Sequence, residues 1–291
     1  DPFESAFLKW IGPWDLSVII GELDNKRSIP DPKFFGLRFG FRPTSSLELG
    51  FSRTSLFCGE NLSCGLSAFT DMLIDKDDGG YNAFGFDFRS SHNINDIPFA
   101  VYGQLMGESF QDNAMSLFGM ETWGLVDSNR LESYRFFVEA SSTSCQFYKN
   151  DSAKYGCAYR NEIYTDGYRY DGINIGHTSD GDSIVLSLGG ILIGENSQLF
   201  KSKLSLGQLN RGSIYSYQLT EHRTNFFNAD LGYEFDLYWF DIPLGSFDVG
   251  VGYEIYKDKI DNTSENQPRI YVAWNNDMDF TQEKTMDFSE Y

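Results

Sequence analysis

Hydrophobic and polar positions alternate with a period of two along most of the chain. Between residues 35 and 42, Phe35, Leu37, Phe39 and Phe41 interleave with Gly36, Arg38, Gly40 and Arg42. Phe84, Phe86 and Phe88 do the same against Gly85, Asp87 and Arg89, and Leu231, Tyr233, Phe235 and Leu237 against Gly232, Glu234 and Asp236. A fourth run sets Phe247, Val249, Val251, Tyr253 and Ile255 against Asp248, Gly250, Gly252 and Glu254. Successive side chains of a strand point to opposite faces, so each run has one apolar face and one polar or glycine face. The pattern predicts roughly thirteen strands, near 15–23, 34–43, 47–57, 82–90, 99–108, 117–127, 133–142, 183–193, 198–209, 215–223, 226–238, 246–257 and 269–275. Short turns fall at Pro43–Ser46, Ser128–Arg130 and Glu195–Ser197, and long loops at Leu23–Lys33, Cys58–Tyr81 and Thr143–Asp182.

Two environments accept such strands. A soluble sandwich turns the apolar face inward, whereas a membrane barrel turns it to lipid and keeps the charges in its lumen. The second is favoured here. The strands reach the roughly ten residues that a tilted membrane strand needs. Aromatic residues crowd their ends (Trp10, Trp14, Tyr81, Tyr102, Trp123, Tyr238, Trp239), as interface girdles do. Short connections alternate with long ones, as periplasmic turns alternate with external loops. The fold expected is an all-β, antiparallel transmembrane barrel over residues 1–276 in the bacterial outer membrane, followed by a polar tail or closing strand at 277–291. The odd strand count is at variance with the even number usual in such barrels.

Composition narrows the choice further. With 23 basic and 42 acidic residues the net charge is −19, which excludes the basic footprint of a nucleic-acid binder and a polybasic lipid anchor. No window approaches the roughly 18 consecutive apolar residues of a membrane helix. The negative mean hydropathy fits barrel strands, whose two faces average out. No charged–apolar–small leader opens the chain, so residue 1 reads as the start of a processed, cleaved or truncated product. On the inward faces Arg38, Arg42, Glu48, Asp87, Arg89, Gln104, Arg135, Glu139, Glu234, Asp236 and Glu254 mix both signs. Mixed signs favour a mutually satisfied bracing network over a charged conduit or plug seat.

Four cysteines form two close pairs, Cys58 with Cys64 and Cys145 with Cys157. No zinc spacing is present, so two local disulfides of an oxidising compartment are expected, and no metal or cofactor. The loop Thr143–Asp182 is the expected seat of function. It holds Tyr164-Thr165-Asp166-Gly167-Tyr168-Arg169-Tyr170-Asp171-Gly172 and Gly176-His177-Thr178-Ser179-Asp180. Rings that cover the C–H face of a pyranose, beside carboxylates and guanidinium that meet its hydroxyls, are the chemistry of sugar recognition. The same composition is also ordinary turn material. Carboxylate pairs such as Asp166 with Asp171 arise by chance in so acidic a chain, and no nucleophile elbow is present, so an enzyme is not expected.

The order and spacing of many short blocks resemble the Wzi family of capsule-assembly proteins. They include Trp10-Ile11-Gly12-Pro13-Trp14, Gly21-Glu22-Leu23 with Arg27, Gly36-Leu37-Arg38, Arg42-Pro43, Leu47 to Thr54, Gly59-Glu60, Tyr102-Gly103-Gln104 with Gly107-Glu108, and Tyr164 to Tyr170 followed by Gly176-His177 and Asp180. The resemblance covers most of the chain. It implies an eighteen-stranded outer-membrane barrel with a periplasmic helical bundle, acting as a lectin that anchors capsular polysaccharide to the cell surface without cleaving it. It also implies that the bundle, a signal peptide and about five strands precede residue 1. Asp166, Tyr168, Arg169, Tyr170 and His177 are the residues expected to bind glycan or to shape the loop that does, with Arg53 and Arg169 suited to acidic sugars. The partners expected are capsular polysaccharide and outer-membrane lipid or lipopolysaccharide, with the protein a monomer. The alternative is a porin-type channel for small solutes or for the polysaccharide.

Overall fold

A computed structural model describes residues 11–74, 80–108, 114–128, 130–145, 155–195, 198–239 and 242–275. Trp10 and the tail 277–291 lie outside these residues. The alternating runs form β1 (Trp14–Glu22), β2 (Lys33–Thr44), β3 (Leu47–Phe57), β4 (Tyr81–Ile94), β5 (Ile97–Gly107), β6 (Ala114–Leu125) and β7 (Leu131–Ser142). After two-residue strands β8 (Arg169–Tyr170) and β9 (Ile173–Asn174) come β10 (Ile184–Gly194), β11 (Leu199–Leu209), β12 (Thr224–Trp239), β13 (Ile242–Asp258) and β14 (Ser264–Asn275). A helix the alternation does not announce, α1 (Leu66–Leu73), interrupts the connection from β3 to β4.

Twelve strands make one antiparallel sheet in chain order, with β8 and β9 a separate hairpin. Strands β1 and β14 are the sheet's two edges, and no pairing between them is present among the described residues. The strand expected at 215–223 is absent: residues 210–223 are turns and bends. The alternation of Tyr215, Tyr217 and Leu219 with polar neighbours mimics a strand, but the Asn210 Nδ2 amide lies within donating distance of the carbonyls of Tyr215 (2.8 Å), Glu221 (2.9 Å) and Thr220 (3.2 Å) and gathers the segment into a loop. Without it, the other twelve expected strands make up the sheet among the described residues. Every connection of the β1–β2, β3–β4, β5–β6, β7–β10, β11–β12 and β13–β14 type then falls at one end of the sheet.

Register assigns each side chain a face. Val18, Leu37, Arg53 and Phe84 stand side by side on one face, as do Leu16, Phe39, Phe51 and Phe86. This outer face is apolar in its middle, with Leu16, Val18, Ile20, Phe51, Leu186, Leu188, Leu231, Val251 and Ile270 exposed. The inner face carries the charges, and they pair. Arg38 meets Asp87 (2.8 Å), Arg42 meets Glu48 (2.6 Å), and Arg89 and Arg135 converge on the buried Glu121. Lys201 bridges Glu234 (2.7 Å) and Asp248 (3.0 Å), and Arg269 bridges Asp230 and Glu254 (2.8 Å each). Three girdle expectations are corrected by the same register. Tyr81 is buried, Tyr102 lies within 3.2 Å of the Glu139 carboxylate, and Trp123 lies under the Arg89 guanidinium, so all three serve the inner side.

Candidate functional site

The β7–β10 loop folds over the inner face at the end where the connections gather. Its described part, residues 155–183, is tied to the end of β7 by the Cys145–Cys157 disulfide. The other expected pair is not joined. Cys58 is a buried free thiol and Cys64 an exposed one, the two in hydrogen-bond contact, with burial pushing the Cys58 thiol upward.

Aromatic rings seat the loop. Tyr159, Tyr164 and Tyr168 pack with Leu23, Leu56, Tyr81, Ala83, Cys145 and Ala158 in a small core on the inner face. Tyr168 and Tyr81 have centroids 4.5 Å apart, and the edge of Phe34 meets Tyr168 at 6.2 Å. Each ring also has a polar anchor, as buried hydroxyls require. The Tyr164 hydroxyl donates to the Cys58 carbonyl (2.8 Å), and the Tyr168 hydroxyl lies within donating distance of the carbonyls of Tyr81 (2.9 Å) and Thr54 (3.1 Å). The Tyr159 hydroxyl accepts from the His177 amide (2.8 Å). Burial raises the Tyr159 phenol to about 12 and lifts those of Tyr164 and Tyr168 as well, so all three stay neutral.

Arginine and carboxylate groups lock the chain between those rings. Arg169 pairs with the buried Asp180 and donates to the Asp166 carbonyl at 3.0 Å. Arg27, from the β1–β2 loop, donates to the carbonyls of Gly167 (2.7 Å) and Arg169 (2.8 Å). Asp166 accepts from the Ser28 amide (2.7 Å) and hydroxyl. Burial opposes its ionisation, but the Ser28 hydrogen bonds and the Arg27 charge outweigh that and hold it below the usual carboxylate range. Asp182 goes the other way: burial pushes it up despite hydrogen bonds from the Gly156 amide (2.8 Å) and the Tyr217 hydroxyl (2.9 Å). Gly167, at φ 59°, is where a Cβ would collide with the Tyr159 carbonyl.

The candidate residues therefore separate. Asp166, Tyr168 and Arg169 shape the loop through bonds to Ser28, to the Tyr81 and Thr54 carbonyls and to Asp180. Tyr170 leaves its ring 54 % exposed on the free side of the β8–β9 hairpin, beside Asp171, whose amide donates to Asp24 (2.9 Å) and whose carboxylate meets Lys26 at 3.4 Å. His177 is partly buried, its Nδ1 2.8 Å from the Ser179 hydroxyl, and burial lowers its pKa. Arg53 does not join the loop at all. It stands on the outer face, donating to the carbonyls of Leu73 (2.7 Å) and Met72 and to the Asn82 side chain (3.2 Å). Arg27 is the clamp that reading the loop alone misses, although its block is among those the family resemblance quotes. Beneath the loop a cavity of about 330 Å³ remains, lined by Phe34, Tyr81, Gln104, Glu108, Tyr159 and His177 among others.

A family model described as capsule assembly protein Wzi matches residues 1–267. The chain belongs to the Wzi family. It is 27 % identical over 250 residues to an uncharacterized 55.8 kDa protein in the cps region of Klebsiella pneumoniae, a match that covers 81 % of this chain and 47 % of that protein. It is also similar, with a TM-score of 0.69 and 23 % identity, to a solved structure of Wzi from Escherichia coli. That structure is described as an outer-membrane protein involved in group 1 capsule assembly and a carbohydrate-binding β-barrel. The alignment covers 93 % of this chain and 56 % of that one, so this Wzi-family chain spans about half the length of these relatives.

Proposed function

We propose that this Wzi-family protein is an outer-membrane barrel that binds capsular polysaccharide and holds it at the cell surface during capsule assembly, without cleaving it. The observation that carries the reading is the β7–β10 loop. It is a preorganised platform locked over the sheet's inner face by Arg27, Arg169, Asp180 and three buried tyrosines, and it leaves Tyr170 exposed beside the Asp171–Lys26 pair. Preorganisation lowers the ordering cost that a flexible loop would meet on binding a polymer. An exposed ring beside a carboxylate and an ammonium suits the C–H face and hydroxyls of a pyranose. The exposed apolar outer face supports a lipid setting, and the paired charges within favour bracing over conduction. Closure of the barrel by strands beyond this chain, and a monomeric state, belong to the same proposal.

The test is binding of the detergent-purified full-length protein to the capsular polysaccharide of its own cell, with an unrelated polysaccharide as control. Saturable, selective binding that leaves polymer length unchanged, weakened by Tyr170→Ala, supports the proposal. Absence of binding together with steady conductance in a planar bilayer would replace it with the channel.

A further inference from the structure

The outer face of β2, β3 and β4 carries a feature that a lipid-facing wall does not tolerate bare. Row by row across β1 to β4, this face reads Trp14, Phe41, Leu49 and Phe88, then Leu16, Phe39, Phe51 and Phe86. The next row is Val18, Leu37, Arg53 and Phe84, and the next Ile20, Phe35, Ser55 and Asn82. Only in the row after that does a charge pair appear on the edge, where Glu22 meets Lys33. Arg53, Ser55 and Asn82 thus stand level with Val18 and Ile20, inside the apolar band. They are not bare. Ser55 donates to Asn82 (2.6 Å), and the two terminal nitrogens of Arg53 reach Asn82 and the last carbonyls of α1, while its Nε is buried without a hydrogen-bond partner. A cation at a helix C-terminus satisfies carbonyls left without intrahelical partners.

The helix that performs this covering lies on the opposite side of the strands from the functional loop. Ala68, Met72 and Phe69 pack on Phe35, Leu37, Phe57 and Cys58, whereas Phe34 and Leu56, one residue away in each strand, pack in the inner core. The far side of α1 is also largely apolar, although Ser67 and Thr70 lie there, with the Thr70 hydroxyl donating back to the Ser67 carbonyl (2.8 Å). Leu66 is 84 % exposed and Ile74 66 %, with Leu62 and Leu73 also uncovered. Leu66 and Leu73 are seven residues apart and share a stripe, while Ala68 and Met72, four apart, share the buried one. A short helix apolar on two sides, seated on an apolar wall, has an apolar medium on both.

Resting on the membrane reading above, we infer that the segment 58–74 is a membrane-seated element: α1 lies against the outer wall with Leu62, Leu66, Leu73 and Ile74 in the interfacial layer of the surrounding leaflet. The lipid is the occupant because the free side of α1 continues the exposed band of Leu16, Val18, Ile20 and Phe51. The helix thereby lets the wall carry Arg53, Ser55 and Asn82 at lipid depth.

The test places a nitroxide at Leu66→Cys and, separately, Leu73→Cys, in the full-length protein with Cys64→Ser. The protein is reconstituted in vesicles of phosphatidylethanolamine and phosphatidylglycerol, and collision with oxygen and with a water-soluble nickel chelate is measured. Labels at Phe51→Cys on the wall and Lys26→Cys on the loops are the references. Oxygen collision exceeding nickel collision at 66 and 73, as at 51 and opposite to 26, is the expected result. Positions 66 and 73 that read like 26 while 51 reads as lipid overturn the inference and leave the barrel standing. All four reading as water overturns the membrane reading itself. Low collision with both reagents at 66 and 73 would mean that protein, a second copy or a partner, covers the helix, and would also overturn the inference.

Discussion

Strands β2 to β4 carry two small cores back to back. On the inner face Leu56, Tyr81 and Ala83 seat the functional loop through Tyr164 and Tyr168. On the outer face Phe35, Phe57 and Cys58 seat α1 through Ala68 and Met72. Adjacent residues serve opposite structures, Phe34 against Phe35 and Leu56 against Phe57. Strand register alone makes the division, since one residue is one face. The two attachments differ in kind. The loop is held by buried rings, a disulfide and a buried ion pair, whereas α1 is held by Ala68, Phe69 and Met72 and by one arginine at its C-terminus. The first suits a rigid binding platform and the second an element whose environment completes its packing.

Four predictions break or sharpen that contrast, from the largest effect down. Arg169→Ala strands the buried Asp180, and removing one partner of a buried pair costs about 3–5 kcal/mol. Amide protection in 158–183 should collapse while that of β10 to β13 holds, and undiminished protection would refute the lock. Arg53→Ala removes charge-assisted bonds of about 1.5–3 kcal/mol from α1, and one to Asn82 on β4. Exchange should quicken across 66–74 with the loop unchanged, and quickening on both faces would mean that the two attachments are one unit. Tyr168→Phe deletes a single hydroxyl donor, so the loop should lose about 1 kcal/mol, read as a modest drop in protection with the fold intact.

The smallest effect is a pH dependence. Burial lowers the His177 pKa, so the unfolded loop takes up a proton that the folded loop refuses. The stabilising difference is fully present above the ordinary histidine value of about 6.5 and is lost as pH falls through it towards the lowered folded value. Loop protection, corrected for intrinsic exchange, should therefore decline on going from neutral to mildly acid pH, and His177→Gln should flatten the slope. Asp166, also lowered, contributes its loss only further down, below the ordinary carboxylate range.

The sheet was legible because period two is a direct print of the pleat: the run from Phe35 to Phe41 and that from Phe247 to Ile255 needed no tertiary information. Residues 215–223 carried the same print and are a loop, in which only Tyr217 of the alternating set is buried while Tyr215 and Leu219 stay exposed. Tyr217 is buried by its hydrogen bond to Asp182, and Asn210 draws in the surrounding backbone. The helix α1 was illegible for the opposite reason, eight residues being too few to show a period against the turn-rich segment around it. Arg53 was misplaced on a signal that was available. It is in phase with Leu49, Phe51 and Phe57, the apolar set, and not with Glu48 and Ser52. The candidate loop was legible in composition, but which of its residues are structural depended on partners such as Arg27 that are distant in sequence.

The central claim is that the locked loop presents a glycan-binding surface through its exposed ring. The measurement that tests it most directly compares wild type and Tyr170→Ala for binding to the cell's own capsular polysaccharide, with exchange protection of the loop recorded for both. The account predicts weakened binding with protection unchanged, since Tyr170 is free of the lock. Equal binding by the two proteins would contradict it.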